Sequence, residues 1–162
     1  MFKIIIGLIL FTNLIVAGSF NFTETRYSDA LDKSQKLEGQ IEFLKNSLKI
    51  IYPKTQRELE YADDVLTYKE NSKEIELDQK QQEQIMRYFD IIIMLHHGDE
   101  SVLEEMFEVS KEDDITLLVP TGVMKNYITK IELKKESKFL SFVKFYFKNS
   151  DYIAINIDDE VL

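Results

Sequence analysis

The first third of the chain carries a seam of positions at alternating spacings of three and four residues, the period of one helix face. Pro53 lacks an amide donor and is expected to end a first helix. The same spacing returns at Leu59, Ala62 and Leu66, so we predict a helical hairpin over residues 20–72. The positions on the first helix are Tyr27, Ala30, Ser34, Leu37, Ile41, Leu44, Leu48 and Ile51.

A longer and more apolar helix is predicted over residues 78–97. Asp78 has the side chain of an N-cap, and Gln81, three residues later, completes a capping box. The apolar stripe is wide enough to place this helix in the centre of the fold rather than at its periphery. The stripe consists of Ile85, Tyr88, Phe89, Ile92 and Leu95.

The end of this helix is marked by His96, His97 and Gly98. Histidine is favourable at the negative end of the helix dipole, and glycine can take the left-handed conformation that ends many helices. A short second helix is expected at residues 101–108, where apolar side chains again recur on one face.

Beyond the helices the pattern changes to strands separated by polar turns. We predict an antiparallel meander from residues 127–133, 139–147 and 152–157. Residues 115–119 fit either a fourth strand or the tail of a helix, because a short apolar run has no decisive period. The predicted fold class is therefore α+β, with an N-terminal helical hairpin, then a long central helix and a short helix packed on a three- to four-stranded antiparallel meander.

The strand at residues 139–147 is expected at the centre of this meander, because apolar side chains lie on both of its faces. One face should pack on the long helix. The other face is either covered by the hairpin or open to a partner, and Leu140, Phe142 and Tyr146 are the candidate interaction residues. The face expected to contact the helix consists of Phe139, Val143, Phe145 and Phe147.

The amino terminus has the pattern of a bacterial export signal. Lys3 precedes an apolar run at residues 4–17 that is too short to span a bilayer as a helix, and Ser19 offers a small-residue cleavage site. We predict that residues 1–19 are removed and that the protein is periplasmic or secreted, with an uncleaved anchor as the alternative. The mature chain is then expected to divide into the hairpin, residues 20–72, and an α+β domain, residues 73–162.

Composition and charge exclude several classes of function. The 162 residues include no cysteine, 5 glycines and 2 prolines. Disulfides and thiolate metal sites are thereby ruled out, and little material remains for loops that hold phosphate. The net charge of −9 argues against nucleic acid, and against a membrane surface after signal cleavage, because both partners require basic patches.

A family resemblance enters at the corner between the two predicted helices. The residues concerned are Tyr88, Phe89, Asp90, Leu95, His97, Gly98, Asp99, Glu100, Ser101, Leu103, Met106 and Phe107. This pattern resembles the opening of the cystatin-like α+β cone of nuclear-transport-factor-like domains, and the resemblance covers about residues 78–162. It implies a cone with an apolar pocket, which some members use as an active site and many use for binding or assembly. The chain departs from the family in its N-terminal hairpin and in having less chain for the sheet.

The candidate pocket residues are Tyr88, Asp90, His96 and His97, because they lie nearest this corner. Tyr88 and Asp90 face different ways on one helix, and adjacent histidines point about 100° apart, so they cannot hold one metal ion together. The acidic runs at residues 112–114 and 158–160 lack the alternating ligands of a calcium loop. We therefore assign no catalytic residue, metal or other cofactor.

These observations predict an exported, non-enzymatic protein that binds a protein partner or associates with itself through the apolar sheet face and the hairpin. The alternative is a small-pocket enzyme or a ligand-binding protein of the cystatin-like cone type. A core that is filled between the long helix and the sheet favours an interaction module, whereas a cavity lined by convergent polar groups favours the alternative.

Overall fold

The computed structural model describes residues 18–44, 47–98, 100–137 and 139–160. They form an eleven-stranded antiparallel sheet with two α-helices. The first strands are β1 (Gly18–Ser28), β2 (Lys33–Leu44), β3 (Ser47–Tyr52), β4 (Arg57–Ala62), β5 (Val65–Glu70) and β6 (Lys73–Glu74). The helices α1 (Gln79–His97) and α2 (Glu100–Met106) follow. The remaining strands are β7 (Phe107–Glu112), β8 (Ile115–Pro120), β9 (Ile128–Glu136), β10 (Phe139–Phe147) and β11 (Tyr152–Glu160).

Two meanders share this sheet, one before the helices and one after them. The strand order is β6-β5-β4-β3-β2-β1-β11-β10-β9-β8-β7, so the first and last strands of the chain pair at its centre. Neither helix of the described residues is long and apolar enough to cross a membrane. The predicted signal falls mainly on residues 1–17, which lie outside the described residues.

The prediction of a helical hairpin over residues 20–72 is wrong, because this segment forms strands β1 to β6. Its apolar residues alternate in the sheet: Ile41, Phe43 and Ile50 are buried on the face toward α1, here called the inner face. Leu44 is 40% exposed and is out of phase with this alternation, as is Ile51. The helical pattern arose because it counted these outer positions together with inner ones.

The turns of the first meander were missed because their sequences are unusual. Asp63 and Asp64 connect β4 to β5 with φ of 50° and 62°, and Asn71 and Ser72 connect β5 to β6 with φ of 51° and 62°. Two successive left-handed residues are typical of tight hairpin turns, which most often contain glycine at the second position. Without glycine, the polar run around Asn71 was interpreted as a linker.

The second half agrees more closely with the prediction. Helix α1 begins with the predicted capping box, in which Asp78 accepts a hydrogen bond from the Gln81 amide. Gly98 is extended, with φ of −65°, rather than left-handed, and its amide donates to the Met94 carbonyl. The short helix ends at Met106, and Phe107 already begins β7.

The predicted meander is present as β9, β10 and β11, and residues 115–119 belong to a strand, β8. The predicted fold class is nevertheless wrong, since a sheet of eleven strands replaces three or four strands with a helical hairpin. The resemblance to a cystatin-like cone fails for the same reason. Residues 18–74 contribute six strands to the sheet that the cone would have built from the C-terminal residues alone.

The core lies between α1 and the inner face of the sheet and is filled by apolar side chains. The Tyr88 ring of α1 lies 5.1 Å from the ring of Phe145 in β10. The Phe89 ring lies 6.3 Å from that of Tyr61 in β4. One helix therefore packs against both meanders. The fully buried residues include Leu48, Ile92, Leu95, Ile131, Val143, Phe145 and Ile155.

Candidate functional site

A charged residue is buried on the inner face at the centre of the sheet. Glu24 of β1 is 1% exposed. Its carboxylate accepts a hydrogen bond from the Tyr52 hydroxyl at 2.7 Å, and the Arg26 guanidinium donates to its other oxygen. Glu24 and Arg26 share a face because they are two residues apart on one strand. Both carboxylate oxygens thus have a donor.

A second tyrosine, Tyr88 of α1, lies close to Glu24. The Tyr88 hydroxyl is buried and has no hydrogen-bond partner. Burial and the nearby Glu24 carboxylate raise its pKa well above the usual tyrosine value, so the hydroxyl keeps its proton. We call Glu24, Arg26, Tyr52 and Tyr88 the polar cluster.

Tyr52 and Arg26 of the polar cluster are also held in one protonation state. Burial, together with the charge and hydrogen bond of Glu24, raises the pKa of Tyr52. Burial disfavours the charge on Arg26, but the hydrogen bond and charge of Glu24 outweigh it and raise the Arg26 pKa. Tyr52 therefore remains a hydrogen-bond donor and Arg26 remains a cation. This arrangement is suited to holding charge in place rather than to exchanging protons.

A pocket of about 110 Å³ opens beside the polar cluster, where β3 ends and the chain turns through residues 53–55. Its ion pair joins Lys54 to Glu38 at 2.6 Å, and hydrogen bonding and charge from Lys54 lower the pKa of Glu38. The pocket is lined by Lys36, Leu37, Glu38, Tyr52, Lys54 and Thr55.

Two arginines complete a basic border around this pocket. The Arg57 guanidinium carbon lies 5.7 Å from the centre of the Tyr52 ring, and its Nε donates to Thr55 at 2.9 Å. Arg26 Nη2 lies 3.5 Å from the Tyr52 hydroxyl, and the Arg26 side chain is 47% exposed. We call Arg26, Lys36, Lys54 and Arg57 the basic rim.

The candidate interaction residues do not share one face. Leu140 is 1% exposed and belongs to the inner core, whereas Phe142 and Tyr146 are half-buried on the outer face. A register shift between Leu140 and Phe142 reverses the alternation, because an extra residue in one strand changes which face the next side chain occupies. The predicted grouping of the three is therefore wrong, while a role for Phe142 and Tyr146 in an interaction stays a prediction.

The outer face near Tyr146 is a network of tyrosines, lysines and one carboxylate. Lys144 Nζ lies 4.5 Å from the centre of the Tyr146 ring and 4.0 Å from that of Tyr152. The Tyr146 hydroxyl donates to Glu132 at 3.0 Å. Burial alone would raise the pKa of Glu132, but the hydrogen bonds from Lys130 and Tyr146 lower it. This face is polar rather than apolar.

The four candidate pocket residues do not converge. Tyr88 belongs to the polar cluster, but Asp90 is exposed on another side of α1. His96 stacks on the Phe43 ring with 3.6 Å between ring centres, and His97 Nε2 lies 3.0 Å from the Leu44 carbonyl oxygen. The histidines therefore attach the end of α1 to the sheet.

Glu24, Arg26 and Tyr52 were not identified from the sequence, although a signal was present. Phe20 and Phe22 precede Glu24 at spacings of two, and both are buried. A charged residue in the apolar phase of a strand indicates a buried charge that requires partners. The signal was lost because the segment was interpreted as helical.

No family model and no curated protein matches the sequence. Solved structures with a similar fold include a LolA-superfamily protein from Nitrosomonas europaea, at 12% identity and a TM-score of 0.43, covering 90% of this chain and 86% of that one. A DUF1329-family protein from Desulfovibrio piger has 9% identity and a TM-score of 0.42, covering 91% and 86%.

Proposed function

We propose that this protein is an exported, non-enzymatic binding protein that holds an anionic segment of a partner protein at the basic rim. The observation that carries this proposal is the concentration of four cations, Arg26, Lys36, Lys54 and Arg57, around one pocket. The chain as a whole has a net charge of −9, so the rim stands out from an acidic background.

Charge of one sign around a pocket attracts a partner of the opposite sign and orients it during encounter. The carboxylates near the rim are already engaged. Glu24 is buried and bonded to Tyr52 and Arg26, and Glu38 is paired with Lys54. These two pairs neutralise Arg26 and Lys54, so Lys36 and Arg57 provide the positive charge that is available to a partner.

Two further features support binding rather than catalysis. Tyr52 and Tyr88 have raised pKa values, so they do not act as bases near neutral pH. The space between α1 and the sheet is filled by buried apolar residues such as Leu95 and Phe145. A filled core favours an interaction module over an enclosed ligand site.

Export is proposed from the amino-terminal pattern. Residues 1–19 combine a positive charge, a short apolar run and a small-residue cleavage site. The proposed location is the periplasm or the outside of a bacterial cell.

Site-specific photo-crosslinking in intact cells tests the binding site. A photoreactive amino acid replaces Thr55 in the pocket or, as the control position, Asn156, an exposed residue on the outer face of the central strand β11. We expect one dominant protein adduct from position 55 and none from position 156. Equal adducts from both positions would contradict the proposal.

Charge reversal provides the matched comparison. Lys36→Glu combined with Lys54→Glu should reduce the adduct at least tenfold, because the rim then repels an anionic segment. Lys125→Glu combined with Lys148→Glu changes the net charge equally at exposed positions away from the rim and should leave the adduct unchanged. An adduct that survives reversal of the rim would show that the rim does not bind the partner.

The Tyr88 hydroxyl favours a second candidate, the binding of a small polar molecule inside the polar cluster. An unpartnered buried hydroxyl costs roughly 1–3 kcal/mol, which a ligand group would offset. Native mass spectrometry of the purified protein tests this candidate. A bound small molecule that is lost in Tyr88→Phe would support it, and an unloaded wild-type protein would contradict it.

A further inference from the structure

Strand β2 extends beyond its neighbour and leaves part of its edge open. It pairs with β1 from Lys33 to Phe43, but β3 pairs with it only from Gln40 to Leu44. Among the described residues, the segment Lys33–Glu38 therefore has a strand on one side alone. We call this segment the β2 edge.

The gap is a consequence of the sequence at the end of β3. Pro53 follows Tyr52 and cannot donate an amide hydrogen bond to a neighbouring strand. The chain turns away through residues 53–55, and Gln56 adopts a left-handed conformation with φ of 49° before β4 begins. The strand that would have covered the β2 edge is thereby diverted.

An open strand edge presents alternate amide and carbonyl groups that can pair with an added strand. Residues 33–38 span roughly 20 Å in extended conformation, enough for several backbone hydrogen bonds. The pocket lies directly beside this edge, since Lys36, Leu37 and Glu38 line it. An added strand would therefore place one of its side chains at the pocket.

The charges around the edge define the chemistry of that strand. Lys36 and Glu38 lie on the outer face of the edge, where Lys54 pairs with Glu38, so two lysines accompany one carboxylate there. Leu37 and the Tyr52 ring provide an apolar contact between these cations. Pairing with a second copy of this chain would bring two basic rims together, which is unfavourable.

We propose that the β2 edge accepts, by strand addition, an extended segment of a partner protein in which acidic side chains alternate with apolar ones. The inference rests on the proposed function and specifies how the basic rim is used. The backbone of the partner pairs with β2, its acidic side chains lie on the outer face near Lys36 and Lys54, and one apolar side chain contacts Leu37 and Tyr52 on the inner face.

Amide hydrogen exchange measured by NMR tests the inference on the mature protein. The probe is a synthetic peptide of alternating glutamate and valine, and a peptide of alternating lysine and valine is the charge control. We expect alternate amides within residues 33–38 to exchange at least tenfold more slowly with the first peptide and to be unchanged with the second. Unchanged exchange with both peptides would overturn the inference.

A backbone control separates strand addition from charge attraction. A version of the glutamate and valine peptide that is N-methylated at every residue keeps its charges but has no amide donor on either edge, and it should bind at least tenfold more weakly. Equal binding would overturn strand addition while leaving an anionic partner at the rim intact. Slower exchange at the β2 edge on raising the protein concentration alone would overturn the inference in favour of self-association.

The two proposals fail in different experiments. If the crosslinked adduct does not depend on Lys36 and Lys54, the basic rim is not a binding site, and strand addition is overturned as well. If the adduct does depend on these charges but the amides of the β2 edge are not protected by the peptide, strand addition alone is overturned.

Discussion

Two polar side chains are buried within the described core, Glu24 and His96, and they are accommodated in opposite ways. Glu24 has donors on both oxygens, from Tyr52 and Arg26. His96 is packed among aromatic rings, and its Nδ1 has no hydrogen-bond partner. A buried charge requires partners, whereas an uncharged imidazole can stack on an apolar ring.

Removing the Tyr52 hydroxyl should show how much its hydrogen bond to Glu24 contributes to the stability of the fold. Tyr52→Phe leaves one buried carboxylate oxygen without its donor. We therefore expect the free energy of unfolding to fall by about 1–3 kcal/mol. Tyr27→Phe is the matched control, because the Tyr27 hydroxyl bonds Asp32 at an exposed position. Chemical denaturation of both variants measures the difference. Equal stabilities would show that the bond to Glu24 contributes nothing net.

His96 should make the protein sensitive to acid. Burial, together with the charges of His97 and Lys135, lowers its pKa from 6.5 to about 4. Between these values the unfolded chain binds the proton more readily than the folded protein. The contribution of neutral His96 to the free energy of unfolding is therefore complete above pH 6.5 and is lost as the pH falls toward 4, by about 3 kcal/mol.

Denaturation at pH 7 and pH 4 measures this contribution when wild type is compared with His96→Gln, which cannot titrate. The loss of stability on acidification should be smaller in the variant. His97→Gln should retain most of the wild-type loss, because burial is the largest cause of the lowered His96 pKa and the charge of His97 is a smaller one. If the loss of stability between pH 7 and pH 4 were reduced in His97→Gln but not in His96→Gln, the prediction for His96 would be wrong.

Strand β10 shows how one irregularity changes the role of a whole element. The register shift after Leu140 moves Leu140 into the core with Val143 and places Phe142 on the outer face. Simple alternation had grouped Leu140 with Phe142 and Tyr146. A strand's period indicates faces only where the pairing is regular.

Two neighbouring truncations test this assignment. Leu140→Ala should cost about 2–5 kcal/mol because it opens a cavity in the core. Phe142→Ala should cost about 1 kcal/mol, since the half-buried ring leaves no enclosed cavity. Thermal or chemical unfolding compares them. A larger cost for Phe142→Ala would show that its face is the more tightly packed one.

The Phe142→Ala variant also tests whether a partner binds at the outer face. Phe142→Ala should keep its fold, so a loss of partner adducts in that variant would support a contact through Phe142 and Tyr146. Retained adducts would favour the basic rim as the site of binding.

The sheet as a whole depends on residues close to the predicted cleavage site. Phe20 is 4% exposed, and its ring lies 6.2 Å from that of Phe43 and 5.6 Å from that of Phe139. Cleavage after Ser19 removes two residues of β1 and keeps Phe20 in the core. A chain cleaved after Ser19 should therefore fold with Phe20 as its first residue.

Intact mass measurement of protein recovered from the cell envelope checks this prediction. A mass that begins at Phe20 is expected from the cleavage pattern. A mass that begins at Met1 would show that the apolar run is retained as an anchor, and the proposed periplasmic or secreted location would then be wrong.

Local patterns were sufficient for some elements because neighbouring residues specify them. The capping box of Asp78 and Gln81 sets the start of α1 within four residues. The strands β9, β10 and β11 are bounded by polar turns and pair with their neighbours along the chain. In these elements the residues that form the stabilising contacts are close to one another in the sequence, so a local pattern predicts them.

The first meander could not be assigned in the same way. Ile41, Leu44, Leu48 and Ile51 fit a helix face by spacing, and the tight turns at Asp63 and Asn71 lack glycine. The choice between helix and strand was made by pairing, since β1 finds β11 at the other end of the chain. Tertiary context overrides local propensity when a whole sheet is stabilised.

The amino-acid sequence therefore specified the central helix, its capping and the C-terminal strands, whose stabilising contacts are local. It also specified the acidic charge and the absence of thiol chemistry. Only the tertiary structure brought Glu24, Arg26, Tyr52 and Tyr88 together from two strands of the first meander and the helix, and only it left the β2 edge open. Such a site exists through contacts between distant residues, and a linear pattern does not encode their distances.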